Sequence, residues 1–199
     1  MRVRTAVWWL LAVQSGCGRI GFDPACGEIC SLPDLGPGGD HCEDATVLTL
    51  TQTSPTTFAA RALGSTIDAI PNLDDSCGGA GAPDVFYRFD IVTTSIVDVQ
   101  LRPTEPTYDP ILYVRGGVGE TCGGLSTRHF CSNAGGPGQE ELGATTALEP
   151  ASYYIVVDGV AGGDADAGSY ELVVVENRGP SRVSFYPPSS GWGDAVEVR

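Results

Sequence analysis

The residues able to do chemistry in this chain are seven cysteines, two histidines and several closely spaced acids. Cys26 and Cys30 form a C-x₃-C pair, but no Cys/His pair follows at finger-like spacing, so a disulfide suits them better than zinc. Ser-His-Asp or Cys-His catalysis needs a base held beside its nucleophile. His41 precedes Cys42 and His129 lies two residues before Cys131, with no G-x-S-x-G elbow or H-E-x-x-H helix around either. Phosphate-loop and dinucleotide glycine fingerprints are also missing. Asp74-Asp75, Glu140-Glu141 and Asp164/Asp166 offer paired carboxylates of the kind glycosidases place across a cleft, and serve equally as exposed loop acids. Residues 163–168, GDADAG, present D-x-D-x-G oxygens that suit calcium, without the bidentate Glu that completes an EF-hand loop. The same string makes a hairpin loop. No catalytic residue and no obligatory cofactor are expected, with Ca²⁺ as the alternative.

The N-terminus reads as an export signal. Arg2 and Arg4 open it, residues 6–13 form an unbroken apolar run, and Ser15-Gly16 precede Cys17. That run rises only about 12 Å as a helix, too short for a hydrocarbon core of about 30 Å. Ser15-Gly16-Cys17 resembles a bacterial lipobox, in which the cysteine is acylated and becomes the mature N-terminus. Gln14 departs from the aliphatic residue preferred there. The rival reading is cleavage near Ser15 that leaves Cys17 a plain thiol. Parity favours lipidation, since removing Cys17 leaves six cysteines to pair: Cys26, Cys30, Cys42, Cys77, Cys122 and Cys131. Gly18 is not the aspartate tied to inner-membrane retention, so an outward-facing outer-membrane lipoprotein is expected, with secretion as the alternative.

The 27 glycines and 14 prolines of the chain leave little room for long helices. The chain has no lysine, and its formal charge of −14 makes nucleic acid an improbable partner. Residues 1–16 are assigned to the signal peptide and 17–41 to a Gly/Pro-rich tether without hydrophobic periodicity. From residue 42, short apolar runs bounded by turn residues recur: 46–51, 56–60, 84–91, 95–101, 109–115, 126–131, 141–148, 151–158 and 169–175. In DVFYRFDI, Val85, Tyr87, Phe89 and Ile91 alternate against polar or outward neighbours, the period of a strand. The expected fold is all-β, a jelly-roll-like sandwich of about eight strands. Tyrosines 87, 113 and 153 sit in strand runs and suit core packing better than an aromatic groove.

These runs stand in a recognisable order. Cys42-Glu43-Asp44-Ala45 is followed by Cys77-Gly78-Gly79, then APDVFYRF from Ala82, YDPILYV from Tyr108, LEPASYYIVVDG from Leu148 and AGSYELVV from Ala167. Together they resemble the bacterial pre-peptidase C-terminal (PPC) domain, in the form found in myxobacterial lipoproteins, over residues 42–176. The resemblance implies a jelly-roll-like accessory module of secreted proteins, often peptidases, that is not itself an enzyme; some relatives bind calcium or extracellular polymers. Where relatives carry Cys-Asn-Asp-Asp this chain has Cys131-Ser132-Asn133-Ala134, which puts a ligand role there in doubt. The disulfide pairing expected beside it is 26–30, 42–77 and 122–131. Residues 177–199 form a tail whose PPSSGWG resembles the opening of an IPT/TIG module. The function expected is a lipid-anchored surface module that binds extracellular polysaccharide or protein. The alternatives are an accessory domain of a secreted hydrolase and a small carboxylate-dependent hydrolase.

Overall fold

The computed structural model describes residues 29–73, 77–160 and 167–179. The expected signal peptide, Cys17, Cys26 and with it the 26–30 bridge, Asp74-Asp75, Asp164/Asp166 and residues 180–199 lie outside them. The strands are β1 Thr46–Val47, β2 Thr51–Gln52, β3 Thr57–Ser65, β4 Val85–Ile91, β5 Ile96–Pro103, β6 Pro110–Gly116, β7 Arg128–Ser132, β8 Glu141–Ala144, β9 Ala151–Gly159 and β10 Ser169–Asn177. They form two five-stranded sheets in the orders β1-β4-β9-β6-β7 and β2-β3-β10-β5-β8. From β3 to β10 each strand crosses to the other sheet, except at the β6–β7 hairpin, and the neighbours are antiparallel. This is the strand order of a jelly roll.

Alternation decides which side chains meet between the sheets. Val85, Tyr87 and Phe89 of β4 and Tyr153, Ile155 and Val157 of β9 face inward from one sheet. Val97, Val99 and Leu101 of β5 and Tyr170, Leu172 and Val174 of β10 meet them from the other. Each such burial stabilises by about 1.5–3 kcal/mol. The Tyr87 and Tyr170 hydroxyls bond across the interior at 3.0 Å. One lateral edge is sealed by Phe130 of β7, whose ring takes the space a Cβ at Gly143 of β8 would need.

Two features depart from expectation. The tether assigned to 17–41 is folded onto the sandwich from Ile29 onward. Ile29 and Leu32 pack on Ala59, Val173 and Val175, and Leu35 on the main core. Asp34 bridges to Arg61 of β3 and Gly39 to Phe86 of β4, so the segment pairs with both sheet edges. A few spaced aliphatic residues suffice for this without periodicity.

The cysteine pairing also differs: Cys42 joins Cys122 and Cys77 joins Cys131, in place of 42–77 and 122–131. Cys122 lies in a 3-10 turn and Cys131 near the far end of β7. Three strand residues separate Cys131 from Arg128, a rise of about 10 Å, so nine positions in sequence are not neighbours in space. Both bridges cover the outer face of the first sheet, where Phe86, Ile111, Tyr113 and Val156 form a second apolar cluster with Cys42, Cys77 and Cys131 against it. Tyr87, Tyr113 and Tyr153 are at most 2% exposed, as packing requires.

Candidate functional site

The loops gather at two ends of the sandwich. The upper end, where β4 begins and β9 finishes, holds most of the buried acids. Asp84 accepts the N–H groups of Asn72 (2.7 Å) and Leu73 (2.8 Å), and burial pushes its carboxyl above the ordinary value. Asp158 accepts the Gly159 N–H, while the Tyr113 hydroxyl donates to the Gly78 carbonyl at 2.8 Å and lies 3.4 Å from Asp158 Oδ2. Glu141 takes the Ser132 hydroxyl and the N–H groups of Ala134 and Gly135, which folds the turn after β7 around it. Its neighbour Glu140 accepts from Gln100 at 2.9 Å and approaches Arg102 at 3.8 Å. Glu140 and Glu141 therefore hold their own strands and do not face each other across a cleft.

The histidines are far apart in role and place. His41 Nδ1 lies 3.1 Å from the Asn72 side-chain oxygen near the upper end. His129 Nε2 lies 2.7 Å from the Gly116 carbonyl at the lower end. Neither is bonded to a hydroxyl or thiol nucleophile in the described contacts. Among the described residues no group of three or more His, Cys, Asp or Glu can hold a metal ion.

The lower end carries a pocket of about 190 Å³ between the β6–β7 and β8–β9 connections. Its floor is Gly116-Gly117, at φ +103° and +135°, a backbone region that glycine adopts without strain. The floor is fixed by the Gly116 N–H on the Thr127 carbonyl (3.1 Å) and the Gly117 N–H on the Ser152 carbonyl (3.2 Å). One wall is aromatic. The His129 ring meets Tyr153 edge-on at 5.2 Å, and Tyr153 stacks on Phe89 at 5.7 Å on its core side. The Tyr153 hydroxyl donates to the Glu149 carbonyl at 2.8 Å.

Two carboxylates stand on the rim. Glu120 accepts from Ser126 (2.8 Å) and from both the N–H and hydroxyl of Thr127. Burial penalises its charge, but those hydrogen bonds outweigh the penalty and hold its carboxyl below the usual range. Exposed Glu149 accepts only a 3.2 Å bond from Thr94 among its described side-chain contacts. Val118 on the lip is 74% exposed. Among the described residues no arginine lines the pocket. Arg128 is adjacent to His129 along β7 and so points to the other face of the sheet.

Of the residues singled out in the sequence, His129 and Tyr153 line this pocket. Glu120 and Val118 lie in a connection with no recognisable motif, and Glu149 lies in the LEPASYYIVVDG block, where nothing marks it as a site residue. The paired glycine directly after an apolar strand is the one signal that marks the place.

No family model and no curated protein matches the chain. Solved structures that resemble it include the pre-peptidase C-terminal domain of a collagenase from Bacillus anthracis. That domain is 14% identical, with a TM-score of 0.39, over 71% of this chain and 96% of that one. Another is the K3 cleaved adhesin domain of Lys-gingipain from Porphyromonas gingivalis, 9% identical at a TM-score of 0.37, over 61% of this chain and 74% of that one. Likeness this distant fixes neither family nor function.

Proposed function

We propose that this chain is a non-catalytic binding module of PPC type, carried outside the cell on acyl chains at Cys17 and contacting an extracellular polymer or protein through its end loops. The observation that carries the reading is the state of the polar side chains. Asp84, Glu140, Glu141 and Asp158 at the upper end are bonded into the fold, and neither histidine faces a nucleophile. Polar groups that hold loops stiffen a surface, and those named here are not arranged as an acid–base pair among the described residues. Rigid loops on a sandwich are where such scaffolds present recognition surfaces. The bridges at Cys42–Cys122 and Cys77–Cys131 suit an oxidising compartment. An acyl anchor at Cys17, stabilised by about 0.8 kcal/mol per buried methylene, would hold the module at the outer membrane without a spanning helix.

The test is retention of the full chain, in neutral detergent, on immobilised collagen, chitin, cellulose and peptidoglycan, with released fragments measured in parallel. Saturable retention on at least one polymer, without fragments, is expected. Turnover of any polymer, or retention on none, would overturn the reading.

A further inference from the structure

Resting on the reading of the chain as a binding module, we infer that the Gly116-Gly117 pocket is its specificity site and takes a cationic side chain, lysine or arginine, of an extracellular protein partner. The chemistry of the lining selects among ligands. The charged groups at the rim are acceptors: the exposed Glu149 carboxylate and the Glu120 carboxylate, kept ionised by its bonds to Ser126 and Thr127. The imidazole nitrogen nearest the pocket is engaged by the Gly116 carbonyl. Two carboxylates with no arginine among the described lining residues repel anions and pair with a donor-rich cation.

Shape argues the same way. A sugar ring would need an aromatic face to lie on, and Tyr153 is only 2% exposed, closed by Phe89 behind and His129 at its edge. The pocket instead sets the two rim carboxylates beside an apolar lip at Val118 and Ala147. Lysine and arginine have that division themselves, an aliphatic stem ending in a charged head. The glycine floor leaves room for the ligand because Gly117 puts no side chain into the space. A Cβ there would stand 3.6 Å from His129 Nε2 and 3.7 Å from Tyr153 Cε1, so any longer side chain fills the pocket. The chain's charge of −14 draws basic partners toward it, and this local site would decide which residue docks.

The experiment is a titration of the ¹⁵N-labelled full chain in neutral detergent at low salt, followed by amide chemical shifts. The probes are acetyl-Gly-Arg-Gly-amide, its lysine and citrulline counterparts, and chitotriose. Saturable shifts at Gly116, Gly117, Val118 and Thr127 are expected with arginine and lysine, and none with citrulline or the sugar. Glu149→Gln, at an exposed position, is expected to leave the spectrum folded and weaken the arginine peptide about fivefold, as loss of one partly exposed ion pair implies. Equal shifts with citrulline, saturation by chitotriose, shifts gathered at the upper-end acids, or unchanged affinity in Glu149→Gln would each overturn the assignment. A chain still retained on a polymer while failing this titration would lose the pocket and keep the module. Binding of the arginine peptide without retention on any polymer would do the reverse.

Discussion

The phenols of Tyr87 and Tyr170 meet 3.0 Å apart between the two sheets. Burial pushes Tyr87 from 10.0 up to about 12 and raises Tyr170, Tyr108 and Tyr113 as well. A folded chain that holds these protons more tightly than the unfolded chain gains stability that is complete below pH 10.0 and lost as pH rises through about 12. The alkaline limb of a denaturation series is therefore expected to fall steeply over that interval. Tyrosinate absorbance should rise in two stages, exposed phenols first and the buried set only with unfolding. A single stage near pH 10.0 would contradict the burial described for Tyr87. The packing role of these rings was legible from their places in alternating runs. The pocket residues Glu120 and Glu149 were not, because a rim carboxylate is defined by which loops meet around it.

At the scale of elements, legibility followed side-chain size. Strands β4, β6, β9 and β10 alternate Val, Ile, Tyr and Phe, and each was expected close to its observed bounds. Strand β3 continues through Ser65, beyond the expected 56–60, because Ala59, Ala62 and Gly64 carry little apolar signal although Ala59 and Ala62 are buried. The run 46–51 splits into β1 and β2, one for each sheet. The bridges were the least legible. Pairing near neighbours in sequence assumes short loops, whereas the loops closed are 80 and 54 residues long. In the chain-entropy account each such loop stabilises by about 4 kcal/mol, against roughly 3 kcal/mol for a ten-residue loop. The double variants Cys42→Ser/Cys122→Ser and Cys77→Ser/Cys131→Ser are expected to lose about 4 kcal/mol each in urea denaturation. Cys122→Ser/Cys131→Ser, which breaks both bridges, should lose clearly more than either. A smaller loss in Cys122→Ser/Cys131→Ser than in either of the other two would restore the 122–131 pairing.

On the scale of the whole molecule, sulfur and charge point the same way. The second apolar cluster on the outer face of the first sheet is roofed by Cys42–Cys122 and Cys77–Cys131 and not by a third layer of helices. That roof is stable only where thiols stay oxidised. An acidic, lysine-free chain is also suited to a surface where it must stay dispersed and meet basic partners. Export, acylation and oxidation are the joint consequences of the proposed function. Intact mass of the protein extracted in detergent from its native envelope reads all three at once. A chain that begins at acylated Cys17, and whose six remaining cysteines take up alkylating reagent only after reduction, is the result expected. Retention of residues 1–16, or free thiols alkylated without reductant, would contradict it.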